Sequence, residues 1–120
     1  MIKNIVFDMG NVLIDFSPMQ YVQKLNIKDK DEEQKIFNAT YLNYKSIYMD
    51  YGMISDEEFV DHVVKGIGEE YRDKIRKLIL NWTDNLTPIE GMEELIVELK
   101  NKGYKLYLLS NASFNQHNYW

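Results

Sequence analysis

Residues 5–16 read IVFDMGNVLIDF, from Ile5 to Phe16. A short β-branched and aromatic run meets an acid at Asp8, passes through Met9-Gly10-Asn11, and turns apolar again. Runs of this kind, too short for a helix, mark a buried strand. Gly10 and Asn11 tolerate the tight backbone that carries a chain off a strand end, and N–H groups bared by such a turn can bind an anion. A near twin lies far downstream, where Tyr104-Lys105-Leu106-Tyr107-Leu108-Leu109 runs into Ser110-Asn111. The two runs together decide the fold class.

Directly before the second run the pattern turns helical. Thr87 is placed as an N-cap with Pro88 at the first helical position. Met92, Leu95, Ile96 and Leu99 then form one stripe, and Gly103 supplies the stop. Helix, glycine and buried strand make the second half of a parallel β-α-β crossover, which points to the α/β class. The stretch from Ser17 to Leu86 is too long for one connection. It reads as helices: one from Ser17-Pro18 through Tyr21, Val22 and Leu25, one over Tyr41 to Tyr51, one after the capping box at Ser55-Asp56-Glu57-Glu58, and one through Tyr71, Ile75, Leu78, Ile79 and Trp82. The expected architecture is therefore a partial, Rossmann-like parallel sheet core of residues 1–16 and 87–120, with a helical cap of residues 17–86 inserted after the first strand.

Composition narrows the function classes. The 120 residues carry a formal net charge of -5 with acids and bases interspersed, so no basic patch invites nucleic acid. The acidic cluster Asp29 to Glu33, broken by Lys30, reads as a solvated helix start. Cysteine is absent, which excludes disulfide and thiolate chemistry and fits a reducing compartment. The first apolar run is too short for a signal peptide or a membrane span, and a soluble, cytoplasmic protein is expected.

Ligands of open α/β sheets gather outside the carboxyl ends of the strands. Asp8 follows Phe7 at one such end and Ser110 follows Leu109 at the other. If the strands are neighbours, a carboxylate and a hydroxyl face one crevice. Asp8 can then act as a nucleophile or as a ligand to a hard cation such as Mg²⁺, or it can simply cap a turn. Ser110-Asn111 can equally cap the next helix. His62 falls inside a helix between apolar residues, and His117 has no accompanying ligands, so both read as packing or surface residues. Tyr41, Tyr44, Tyr48 and Tyr51 can line a pocket beneath the cap, although helical spacing favours packing.

The order Asp8-Met9-Gly10-Asn11-Val12, then Tyr51-Gly52-Met53-Ile54-Ser55, then Leu86-Thr87-Pro88, then Leu106 through Asn111 resembles the haloacid dehalogenase-like hydrolase superfamily. It is most similar to the capped bacterial branch of small sugar-phosphate (glucose-1-phosphate type) phosphatases. The resemblance implies Asp8 as the nucleophile of an aspartyl-phosphate route, and Mg²⁺ held by the Asp8 carboxylate and the Gly10 carbonyl. It further implies that Ser110, Asn111 and Asn11 hold the phosphoryl group of a small phosphorylated substrate.

Two departures stand against that pattern. The position two after the nucleophile usually carries an acid that protonates the leaving group, and here it is Gly10. Asp15 is the candidate replacement, and metal-independent dehalogenation stays open. The chain also stops ten residues after Ser110, before the lysine and acidic pair that the resemblance implies. The expectation is a fragment, or a sheet completed by another chain, with a non-catalytic binding or assembly module as the alternative.

Overall fold

The computed structural model describes residues 1–119. Its elements run β1 (Asn4–Phe7), α1 (Pro18–Gln23), α2 (Lys30–Thr40), α3 (Ser46–Asp50), α4 (Asp56–Ile67), α5 (Arg72–Ile79), α6 (Met92–Asn101), β2 (Lys105–Leu108) and α7 (Phe114–Tyr119). The chain is mixed α/β and divides into two compact units. One comprises Met1–Phe16 and Leu86–Ser110, and the other Ser17–Asn85 with the residues from Asn111 on. Residues beyond Ser110, assigned to the α/β unit on sequence grounds, thus group with the helical unit.

In the first unit β1 and β2 pair in parallel, with Asn4 opposite Lys105 and Phe7 opposite Leu108. The ladder is bracketed by Lys105 N–H donating to Lys3 O at 3.0 Å and Leu109 N–H donating to Phe7 O at 2.9 Å. Helix α6 crosses back between the strands and ends where Gly103 adopts φ +86°. There Tyr104 N–H reaches Leu99 O at 3.2 Å and Gly103 N–H reaches Lys100 O at 3.0 Å, the paired bonds of a Schellman stop. The strands are less covered than their composition suggests. Val6 is 56% exposed and Tyr107 51%, because a two-stranded sheet with one flanking helix has too few neighbours to cover both faces.

Helix α6 also starts later than its sequence suggests, at Met92 behind a left-handed Gly91. Thr87 and Ile89 are taken up elsewhere. Asp15 N–H donates to Thr87 O at 2.8 Å and Ile89 N–H to Leu13 O at 3.0 Å, so Ile14 faces Pro88 in an antiparallel bridge. The bonds flank the Ile14–Pro88 pair, so the missing N–H of Pro88 is never called upon.

The helical unit packs around α4, whose Phe59, Val60, Val63 and Val64 lie on one buried face. Ile36 of α2 and Ile75 of α5 complete the centre, both fully buried. Helix α2 is capped by Asp29, whose carboxylate accepts from Asp31 N–H at 2.8 Å. Glu33, expected in solvent, is instead buried and bonds Lys30 Nζ at 2.8 Å. Helix α3 covers only Ser46–Asp50 of the longer helix expected over Tyr41 to Tyr51. Tyr71 and Trp82, placed on one stripe with Ile75, fall in 3-10 turns at either end of α5. Among the described residues no helix is long and apolar enough to cross a membrane.

Helix α4 begins at a reciprocal box: Glu58 N–H donates to Ser55 Oγ at 3.1 Å and Ser55 N–H to Glu58 Oε2 at 2.7 Å. The backbone bond from Ser55 holds the Glu58 carboxyl below its ordinary range. A depressed folded-state value means the box stabilises α4 above the unfolded value and loses its effect as pH falls through the folded one. In Ser55→Ala the Glu58 titration, followed by NMR, should move back up toward the ordinary carboxylate range. Phe59→Ala should lower the unfolding free energy by about 3–5 kcal/mol in urea titrations, through lost burial and the cavity left behind.

Candidate active site

The parallel register brings Asp8 and the Leu109-Ser110 end of β2 to the same edge of the sheet, since Phe7 stands opposite Leu108. Asp8 is exposed there, and its Oδ1 accepts from Met9 N–H at 2.7 Å. Among the described residues its second carboxylate oxygen meets no protein donor. That leaves one oxygen anchored and one open to an incoming electrophile or cation.

The turn behind Asp8 is tightly bound. Met9, buried at 7% exposure, offers one carbonyl to three donors: Leu13 N–H at 2.9 Å, Ile14 N–H at 3.1 Å and Val12 N–H at 3.3 Å. Asn11 N–H closes the turn on Ile14 O at 2.7 Å. Asn11 holds φ +58°, the left-handed region that Asn tolerates better than most residues. Its side-chain oxygen accepts from Phe16 N–H at 3.0 Å. The Asn11 side chain, a candidate for phosphoryl contact, is therefore engaged in shaping the turn.

Asn111, exposed, belongs to the helical unit, and Ser110 closes the α/β unit. Asp15 is exposed, and its backbone is tied to Thr87. His62 lies half-buried on α4, where burial and then the charges of Lys45 and Lys65 hold its imidazole below the ordinary range. His117 is exposed on α7. Tyr44 and Tyr51 are exposed, at 66% and 73%, and Tyr44 stacks edge-on with Tyr48. Tyr41 packs against the helical core, and burial pushes its hydroxyl well above the ordinary range. Sequence reasoning missed one pair: Ser113, fully buried, donates through Oγ to the buried Asp56 at 2.9 Å. The two lie 57 positions apart, with no local pattern joining them.

Magnesium is testable against these groups. The Asp8 carboxylate and the Gly10 carbonyl are both hard oxygen donors of the type Mg²⁺ takes. The Gly10 carbonyl accepts no hydrogen bond among the described residues. No group of three or more His, Asp or Glu side chains is assembled among them either. The donors present fit part of a Mg²⁺ shell, an ion that habitually keeps several waters.

The model of the haloacid dehalogenase-like hydrolase family matches residues 2–117. Among solved structures, the chain is similar to a HAD family enzyme from Bacteroides thetaiotaomicron in complex with magnesium and inorganic phosphate. Identity is 24% and the TM-score 0.66, over 99% of this chain and 58% of that one. An aspartate-to-alanine variant of that enzyme, also with magnesium and inorganic phosphate, gives 24% identity and a TM-score of 0.69 over the same shares. The likeness is one of fold, and the chain spans less than two thirds of the length of those structures. No curated protein is matched by sequence.

The Asn11 turn yields a test. Asn11→Ala loses both the bond to Phe16 and the tolerance of positive φ, and should destabilise by about 1–2 kcal/mol. Asn11→Gly loses only the bond and should cost clearly less in parallel urea titrations.

Proposed function

The chain belongs to the haloacid dehalogenase-like hydrolase family, and on that premise we propose a Mg²⁺-dependent phosphomonoester hydrolase acting on a small, sugar-type phosphate. The observation that carries the reading is the β1–β2 register, which delivers Asp8 and the end of β2 to one edge of the sheet. The Asp8 carboxylate, held through one oxygen by Met9 N–H, attacks phosphorus with the other. The bond from phosphorus to the ester oxygen breaks, and the leaving alkoxide takes up a proton from solvent water. Water then attacks the aspartyl-phosphate, releasing inorganic phosphate and restoring Asp8. Ser110 and the Asn111 N–H are the donors proposed for the phosphoryl oxygens. Mg²⁺, held by the Asp8 carboxylate and the Gly10 carbonyl, would neutralise phosphoryl charge.

The phosphate bound in the Bacteroides enzyme supports this substrate class. The helical unit is proposed as the cap that selects the sugar moiety. Because only part of a metal shell is present, the working site is proposed to draw further charged groups from outside these residues. The same observation favours the second reading, a binding or assembly module without catalysis.

A phosphate-release assay over a panel of sugar phosphates, with and without Mg²⁺, separates the readings. Asp8→Asn should lose activity by several orders of magnitude, as when a covalent catalytic unit loses its nucleophile. Ser110→Ala should lose roughly tenfold to a thousandfold, the cost of one donor to the transferring group. Full activity in Asp8→Asn would refute the nucleophile, and halide release without metal would favour dehalogenation. Absence of turnover under every condition would favour the binding module.

A further inference from the structure

We propose that the helical unit carries a binding site of its own, a cleft between α2 and α4 that takes a small organic anion with a short aliphatic body. The inference stands apart from the phosphatase reading. The cleft measures about 420 Å³, inside the range of about 300–1,000 Å³ usual for small-molecule sites. Ala39 of α2, with Val63 and Ile67 of α4, gives it an apolar side. Asn43, His62 and Lys65 give it a polar one. Among the described residues no acid lines it.

The charge around the cleft is of one sign. Burial, then the charges of Lys45 and Lys65, hold the His62 imidazole below its ordinary range, so both ammonium groups act on one half-buried ring. Among the described residues neither lysine enters an ion pair. The acids of α4 are engaged elsewhere: Glu57 with Arg76, Asp61 with Arg72, Glu58 with the Ser55 N–H and Asp56 with the Ser113 hydroxyl. Carbonyls at the carboxyl ends of α2 and α4 would work against an anion. Both ends are covered, since Asn43 Nδ2 donates to Ala39 O at 3.0 Å and Lys35 Nζ to Ile67 O at 3.0 Å, which adds a third cation. Asn43 Oδ1 also accepts from Lys45 N–H at 3.0 Å and so pins that residue beside the cleft.

Gly66 is an independent observation. It is the penultimate residue of α4, and glycine weakens a helix relative to alanine. Neither usual need for glycine applies, because its φ is not positive and a Cβ there would meet nothing within 4 Å. What the glycine provides is open space beside His62 and Val63, and that space is part of the cleft.

An NMR titration of the full chain follows the His62 ring and the amides of Lys65 and Gly66. The probes are butyrate and butylphosphonate, the latter without an ester bond to hydrolyse. Both should bind saturably, and the tighter of the two identifies the head group. Butanol lacks the charge and acetate lacks two methylenes, so each should bind more weakly by roughly fivefold or more. Lys45→Ala or Lys65→Ala should raise Kd roughly fivefold, the worth of one charge at contact distance in water. A helix side chain leans back over the preceding turn, so the leucine of Gly66→Leu lies across His62 and Val63 and should abolish binding. Its unfolding midpoint should hold or rise, because leucine suits a helix better than glycine. Gly66→Ala should keep the site. Butanol or acetate binding as tightly as the two probes, no saturable shift with either anion, or undiminished binding in Gly66→Leu would overturn the proposal.

Discussion

The candidate chemistry depends on one parallel ladder of backbone hydrogen bonds, running from Lys105 on Lys3 to Leu109 on Phe7. A slip of one residue would turn each strand's side chains to the opposite face and displace Ser110 along the edge. The register is guarded on one side by the Schellman stop at Gly103, which sets where β2 begins. On the other side, the Met9 carbonyl gathers three N–H groups and fixes where β1 ends. The position of the carboxylate is thus a product of backbone bonding more than of side-chain packing.

What could be read in advance follows the range of the interactions. The strands, the stripe of α6 and the stop at Gly103 rest on neighbouring residues, and each was legible. The box at Ser55 and the apolar face of α4 were legible for the same reason. Thr87-Pro88 carries the local signature of a helix start, yet its backbone is spent on Leu13 and Asp15, more than seventy positions earlier in the chain. Glu33 looked solvated because nothing nearby in sequence shows that α2 turns it inward. The Asp56–Ser113 bond was invisible because a buried carboxylate has no composition of its own. At Asn11 the tolerance for a left-handed turn was readable, whereas the engagement of its side chain by Phe16 was not.

The two units also differ in how they hold together. The helical unit has a dry centre around Phe59, Ile36 and Ile75. Its surface carries interhelical ion pairs such as Lys74–Glu32 at 2.5 Å and Arg76–Glu57 at 2.8 Å, which contribute little in water. The α/β unit has Met9 as its buried apolar residue, and relies on strand pairing, the Ile14–Pro88 bridge and the helix stop. Burial dominates in one, hydrogen bonding in the other.

That the β1–β2 ladder joins strands so far apart in sequence has a consequence for how the molecule is made. Asn4 must wait for Lys105, and the entropy of closing so long a loop must be met before any ladder bond forms. The helices between them make mostly local contacts, and such contacts form fastest. On a ribosome, α1 through α5 can assemble while the first strand is still unpaired, its apolar residues open to chaperones or to other chains. The segment bearing Asp8 is therefore synthesised well before its partner strand and is among the last to reach its final place.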